Sequence, residues 1–214
     1  MRLDHVSYVA SHDQISDVVN RIGSQIGTAF VDGGIHPKFG TRNFTAPLLN
    51  GQYIEIVCPL DHPATDATPF GQAVRKKAEE GGGWMTWVIR TEDITKIETK
   101  LNRIAIIGNR KLPNGSELEW KQLGVLATLE DFTNPFYVEW ISDIHPSETP
   151  NAVTSISKIF MSGEKNKVEY WLGVDSKTLL GGIEINWTTK NEELLTPGLI
   201  GIEFNVKGSK VHVT

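Results

Sequence analysis

The feature that most constrains this chain is an internal repeat. Residues 3–10 (LDHVSYVA) read as a strand. A run with Ile15, Val18, Val19, Ile22 and Ile26 at 3- and 4-residue steps has helical periodicity, closed by Gly27. Strand-like stretches follow at 29–32, 42–49 and 52–58, the last two joined by Asn50-Gly51, a strong hairpin signal. The same order returns downstream. A strand over 84–90 leads into a helix over 93–103, with Ile94, Ile97 and Leu101 on one face. Strand-like runs then occupy 104–107, 117–126 and 136–142, with a turn at Asn114-Gly115. Each copy reads β-α-β-β-β.

The letters repeat as well. Tyr53-Ile54-Glu55-Ile56 precedes Tyr137-Val138-Glu139-Trp140 by 84 positions, and each is followed by a His-Pro pair, His62-Pro63 and His145-Pro146. The first strands align at an offset of 79, which sets His5 opposite Trp84 and Ile15 opposite Ile94. The difference between the two offsets reads as one loop insertion in the second copy. A weaker third copy follows a linker at 145–155: a strand over 156–162, a helix over 165–172, and strands at 182–187, 199–206 and 209–213. The expected organisation is one domain over 1–146, with modules at about 1–63 and 80–146, and a βαβββ-like half-module over 150–214 that either stands apart or belongs to the same domain.

Composition excludes several functions. The 214 residues carry a formal charge of −5 with no basic stripe, which argues against a nucleic-acid partner. Cys58 is the single cysteine, so neither a disulfide framework nor a Cys-rich metal site can form. Its parity with Ile54 and Ile56 makes it a buried, inert thiol. The longest apolar runs, such as Ile104–Ile107, fall far short of the roughly 20 residues that span a bilayer. The N-terminus turns polar at once, so the expected compartment is the cytoplasm. The Gly81-Gly82-Gly83 run lacks phosphate-loop spacing, and Arg75-Lys76-Lys77 before Glu79-Glu80 reads as a solvated helix face.

The residues resemble the glyoxalase-like branch of the vicinal oxygen chelate superfamily, which includes glyoxalase I, extradiol dioxygenases and bleomycin resistance proteins. The resemblance is carried by Leu3-Asp4-His5-Val6 and by Gly33-Gly34-Ile35-His36-Pro37-Lys38-Phe39-Gly40-Thr41-Arg42-Asn43. Tyr53-Ile54-Glu55-Ile56 and Pro135-Phe136-Tyr137-Val138-Glu139-Trp140 complete it. It implies an α+β fold in which paired βαβββ modules form a curved mixed sheet around a cavity, with a third βαβββ-like module at the C-terminus. It also implies metal ligands on the first and last strand of each module, pointing into the cavity.

Strand alternation tests that implication. His5, Ser7 and Val9 share a face, as do Tyr53, Glu55 and Val57, and Tyr137, Glu139 and Ile141. His5, Glu55 and Glu139 therefore occupy three of the four expected ligand positions. Such a set would suit a divalent Zn, Ni, Mn or Fe ion. The fourth position holds Trp84, which cannot ligate, and Thr86 on the same face is a poor substitute. Glu139 or His36 would serve as the catalytic acid–base group. Trp84, Tyr53, Tyr137, Asn43 and Thr86 would contact the substrate. By its parity Trp140 should pack under a helix. Asp4 is expected to bond nearby backbone, and His62 and His145 to mark strand ends.

Two functions stay open on this reading. One is a metal-dependent lyase, isomerase or dioxygenase acting on a small molecule. The other is a metal-free binding or sequestration protein of the bleomycin-resistance type. In both, the partner is a small-molecule ligand, with no nucleic acid or membrane, and the chain is a monomer or homodimer.

Overall fold

The structure is a computed structural model that describes residues 1–148, 152–188 and 196–214. The first module contains β1 (Arg2–Val9), α1 (Ile15–Ile26), β2 (Val31–His36), β3 (Thr41–Pro47) and β4 (Tyr53–Pro59). Two helices, α2 (Pro63–Ala67) and α3 (Pro69–Glu79), connect it to the second. That module contains β5 (Gly83–Arg90), α4 (Thr95–Leu101), β6 (Ile106–Lys111), β7 (Glu117–Leu123), α5 (Val125–Glu130) and β8 (Phe136–Trp140). The C-terminal part adds β9 (Thr154–Ser162), α6 (Lys165–Leu172), α7 (Ser176–Leu179), β10 (Glu184–Thr188), β11 (Gly198–Val206) and β12 (Ser209–Val213).

Local signals account for most boundaries. Gly27 ends α1 in the left-handed conformation (φ 63°), returning its N–H to the Gly23 carbonyl. Asn50 and Gly51 both take positive φ, as a tight turn between β3 and β4 requires. Helices α2 and α3 each begin with proline, capped by the His62 ring accepting from the Ala64 N–H and by the Thr68 hydroxyl accepting from the Gly71 N–H. Helix α3 is more than a solvated face: Phe70, Ala73 and Val74 are buried against the barrel.

Eight strands close into a barrel in the order β1-β4-β3-β2-β6-β7-β8-β5. In each module the first and last strands run parallel, and β1 pairs antiparallel with β5 to join the modules. The far seam, which a concave sheet would leave open, is held by the single pairing of Ile35 with Lys111. Gly34 makes that approach possible. Its φ is +88°, and a Cβ there would collide with the Lys111 carbonyl oxygen.

The C-terminal strands form a separate sheet ordered β10-β9-β11-β12. The element order strand, helix, three strands does recur, with the helix split into α6 and α7. Here, however, the first strand pairs with the second in parallel and with the third antiparallel, so no half-barrel results. Of the linker at 145–155, residues 149–151 lie outside the described residues. Its first residue, His145, is buried.

Apolar burial falls into two clusters. One, on the cavity side, joins Val9, Val57, Met85, Val88, Phe136 and Val138 to α3. The other lies outside the barrel, where Leu3, Val6, Tyr8, Ile54, Ile56, Trp84 and Trp87 meet α1 and the inner face of the second sheet. Cys58 belongs to this outer cluster, and burial pushes its thiol up to about 11.

Candidate functional site

The barrel encloses a narrow cleft of about 30 Å³, lined by His5, His36, Asn43, Tyr53, Glu55, Phe70, Arg110, Trp120, Gln122, Phe136, Val138 and Trp140. One wall comes from β1 and β4, where His5 pairs with Tyr53 and Ser7 with Glu55. A register shift between Leu3 and His5 breaks the alternation of β1. It sends Leu3 to the outer core, while Asp4 and His5 both reach polar groups around the cleft.

Asp4 is the centre of a buried network. Its carboxylate accepts from His5 Nδ1 at 2.9 Å, from His145 Nε2 at 3.0 Å and from the Trp140 indole at 3.3 Å. Burial alone would raise its pKa, but hydrogen bonds from His145 and His5 outweigh burial and hold it far below the usual carboxylate range. An ionised Asp4 only accepts, so the tautomers follow. His5 carries its proton on Nδ1 and presents Nε2 to the cleft. His145 accepts from the Ser147 N–H at Nδ1 and so donates from Nε2.

Glu55 is the second buried acid, 4% exposed. Its oxygens accept from the Ser7 hydroxyl (2.8 Å) and the Asn43 amide (2.7 Å). His5 Nε2 lies 3.8 Å away and His36 Nε2 4.0 Å. Burial opposes its charge, yet His5 and His36 together with those hydrogen bonds hold its pKa below the ordinary value. His36 behaves oppositely. Burial, opposed by Glu55 and helped by the Arg110 charge, lowers its pKa to about 4, so the ring is neutral at pH 7. Its Nδ1 is 2.8 Å from the Thr41 hydroxyl. Tyr53 stacks on His5 with centroids 4.3 Å apart, and burial first, then Asp4 and Glu55, keep its phenol protonated.

His5, His36, Asn43, Tyr53 and Glu55 thus meet in one cleft. Glu139, Trp84, Tyr137 and Thr86 do not. Glu139 lies on the opposite face of β8, bonded to Lys121 (2.8 Å) and to the Ile94 N–H (2.7 Å). Tyr137 is buried in the outer core, its hydroxyl on the Trp171 carbonyl, and Trp84 donates there to the Val213 carbonyl. Thr86 bonds the backbone of Trp87. Conversely Trp140, expected under a helix, faces the cleft.

For Tyr137, Glu139 and Trp140 the cause is a one-residue slip, whereas Trp84 turns outward at the register shift between Ser7 and Tyr8. His5 pairs with Tyr53 across β1 and β4, and Val88 with Phe136 across β5 and β8, the same separation of 48 in both modules. The modules therefore correspond at one offset of 83, not at 79 for one strand and 84 for another. This sets Val88 opposite His5 and Val138 opposite Glu55. A slip of one residue reverses every side chain on a strand.

The consequence for a metal is direct. The second module offers two valines where the first offers an imidazole and a carboxylate, and Glu139 is on the far face. Among the described residues no group of three or more His, Cys, Asp or Glu side chains is arranged to hold an ion. The set His5, Glu55 and Glu139 does not fit one.

Sequence reasoning passed over Asp4 and His145 as structural, and missed Arg110, Trp120, Gln122, Phe136 and Val138. Arg110 sits past the end of the 104–107 strand assignment, and Trp120 and Gln122 alternate on β7. Arg110 is 4% exposed, and burial lowers its pKa against the opposing charges of Glu55 and Asp32.

Among solved structures, the chain is similar to methylmalonyl-CoA epimerase from Mycobacterium tuberculosis, with 13% identity over 65% of this chain and 86% of that one, at a TM-score of 0.43. A hypothetical protein from Bacillus halodurans shares 15% identity over 70% of this chain and 98% of its own, at 0.41. A Streptomyces coelicolor methylmalonyl-CoA epimerase variant in complex with 2-nitronate-propionyl-CoA shares 14%, over 69% and 98%, at 0.42. No curated protein matches. The glyoxalase-like domain family matches residues 3–173. The chain, with its two βαβββ modules closed around one cleft, therefore belongs to the glyoxalase-like domain family of the vicinal oxygen chelate superfamily.

Proposed function

We propose that this chain binds a small carbonyl compound in the barrel cleft and moves a proton on it, using His5 as the base. The observation that carries this reading is the Asp4–His5 pair: a buried carboxylate 2.9 Å from Nδ1, with Nε2 left without a hydrogen-bond partner among the described residues and directed to the cleft. A base oriented by a third group is the arrangement that proton abstraction needs. In the reaction the C–H bond next to the carbonyl breaks and its proton passes to His5 Nε2. The electron pair moves onto the carbonyl oxygen, forming an enolate. Tyr53, a neutral phenol on the same wall, offers its hydroxyl as a donor for that oxygen. Return of the proton to carbon restores His5 and completes an isomerisation or exchange. Glu55 is less suited to abstraction, because hydrogen bonds from Ser7 and Asn43 and a lowered pKa make it the weaker base.

The test is deuterium incorporation. Hydroxyacetone, pyruvate and methyl pyruvate are incubated with the protein in heavy water and followed by proton NMR, with and without a chelator. Exchange should occur in the chelator and fall by about 10²-fold or more in His5→Ala and Asp4→Asn. Exchange that survives both variants, or that disappears with the chelator, overturns the reading. A second reading, sequestration of a flat ligand, is favoured by the aromatic wall of Tyr53, Phe70, Trp120, Phe136 and Trp140. It predicts binding with no exchange at all.

A further inference from the structure

We propose that the cleft recognises a small carboxylate, held by Arg110 and Gln122 on the wall opposite His5. The inference rests on the cleft being a ligand site and names the class of ligand. Three observations carry it. Arg110 lines the cleft while almost wholly buried, its Nε has no hydrogen-bond partner, and among the described residues no carboxylate forms an ion pair with it. A guanidinium stays charged at any physiological pH; Glu55 and Asp32 favour that charge from beyond ion-pair distance, which leaves the guanidinium free to hydrogen-bond an anion that arrives from outside.

The second observation is Gln122, 2% exposed and also lining the cleft. Its Oε1 accepts from the Trp120 indole at 2.9 Å. An indole only donates, which fixes the amide orientation and leaves Nε2 as the free end. Nε2 has no partner. Across the β6–β7 ladder Arg110 pairs with Leu118 and Gln122 with Ile106, so the two unsatisfied donors enter the cleft four residues apart along the strands and meet different oxygens of one short acid.

The third is the space. That space is bounded by the rings of Phe70, Trp120, Phe136 and Trp140, whose flat faces suit a small planar group better than a tetrahedral phosphate or sulfate. Glu55 does not repel such a ligand from the whole cleft, since it lies with Ser7 and Asn43 on the β1–β4 side. Arg110 and Gln122 come from β6 and β7. A short 2-oxo or 2-hydroxy acid placed on them would direct its second carbon toward His5.

Binding of pyruvate, acetate, methyl pyruvate and inorganic phosphate by calorimetry tests the assignment on the full chain. Pyruvate and acetate should bind the wild type, and methyl pyruvate and phosphate should bind at least about tenfold more weakly. Arg110→Met should lose about tenfold or more in pyruvate affinity while melting no lower than wild type without ligand, because an unpaired buried charge is gone. Gln122→Met should lose less, and Arg110→Lys should recover part of the loss. Pyruvate binding unchanged in Arg110→Met, or equal binding of methyl pyruvate, overturns the proposal. The wild type keeps the two readings apart: pyruvate binding with no deuterium exchange would leave the carboxylate site standing and remove His5 as base. Exchange of hydroxyacetone without any carboxylate affinity would sink the carboxylate site and leave His5 as base.

Discussion

At the scale of single residues, the cleft is a set of titrations pushed apart by their surroundings. His36 has a folded pKa of about 4, well below its ordinary 6.5, because burial disfavours the cation. Below pH 6.5 the unfolded chain takes up a proton at this position and the folded chain does not. Stability therefore falls as pH drops from 6.5 to 4 and stops changing on this account below 4, a total of roughly 3 kcal/mol. His36→Gln, which keeps a polar partner for Thr41, should flatten the dependence of unfolding free energy on pH across that window by nearly one proton. Denaturant titrations at half-unit steps would check this, and identical slopes in the two proteins would contradict it. Asp4 works in the same direction at lower pH. Its folded pKa lies below the ordinary 3.8, so its contribution is present above that value and is lost in stronger acid. Asp4→Asn should therefore melt lower than wild type at pH 7, with the difference shrinking as acid protonates the native carboxylate.

At the scale of elements, the lesson lies in β8. Tyr-Ile-Glu-Ile and Tyr-Val-Glu-Trp share Tyr and Glu at the same spacing, yet one glutamate lines the cleft and the other stands outside it. Similar letters locate a strand well, and strands, helix α1 and the Asn50-Gly51 turn were all legible because alternation and turn chemistry are local. Facing is a different matter. It depends on cross-strand register, which β1 and β5 fix through shifts at Leu3/His5 and Ser7/Tyr8 that no local pattern announces. His5, His36, Asn43, Tyr53 and Glu55 were within reach of sequence because they fall in the first module, where alternation and motif agree. Arg110 and Gln122 were not, because a buried charge on a strand looks like an exposed one until its neighbours are known. The face of β8 makes a measurable difference. Glu139 accepts from the Ile94 N–H at the start of α4 and from Lys121. Glu139→Gln should lower stability by about 0.5–1 kcal/mol, the scale of a weakened cap and a surface pair. Pyruvate affinity and deuterium exchange should not change. A loss of either would return Glu139 to the cleft.

At the scale of the whole molecule, the barrel and the C-terminal sheet share one core. Trp84 is the clearest tie. Its indole donates to the Val213 carbonyl at 2.9 Å, and its ring packs edge-on to Tyr8 and against Phe204. On the same side, Thr154 of β9 donates to the Ile26 carbonyl at the end of α1. The family match likewise runs past the linker and into α6. A division into units at 1–146 and 150–214 would expose Leu3, Val6, Trp84 and Trp87, a continuous apolar face that the second sheet covers. We infer that the chain unfolds as one cooperative unit. Calorimetry of the full chain should give a single transition, with calorimetric and van't Hoff enthalpies in agreement. Trp84→Ala should destabilise that whole transition by about 3–5 kcal/mol, as expected for deleting a buried tryptophan, without splitting it. A fragment ending at residue 148 should aggregate or bind hydrophobic dye, since α1 and β5 would lose the sheet that packs on them. Two separate transitions in the full chain, or a soluble fragment that still binds pyruvate with wild-type affinity, would show that the barrel needs no second sheet, and that the outer core serves only to attach it.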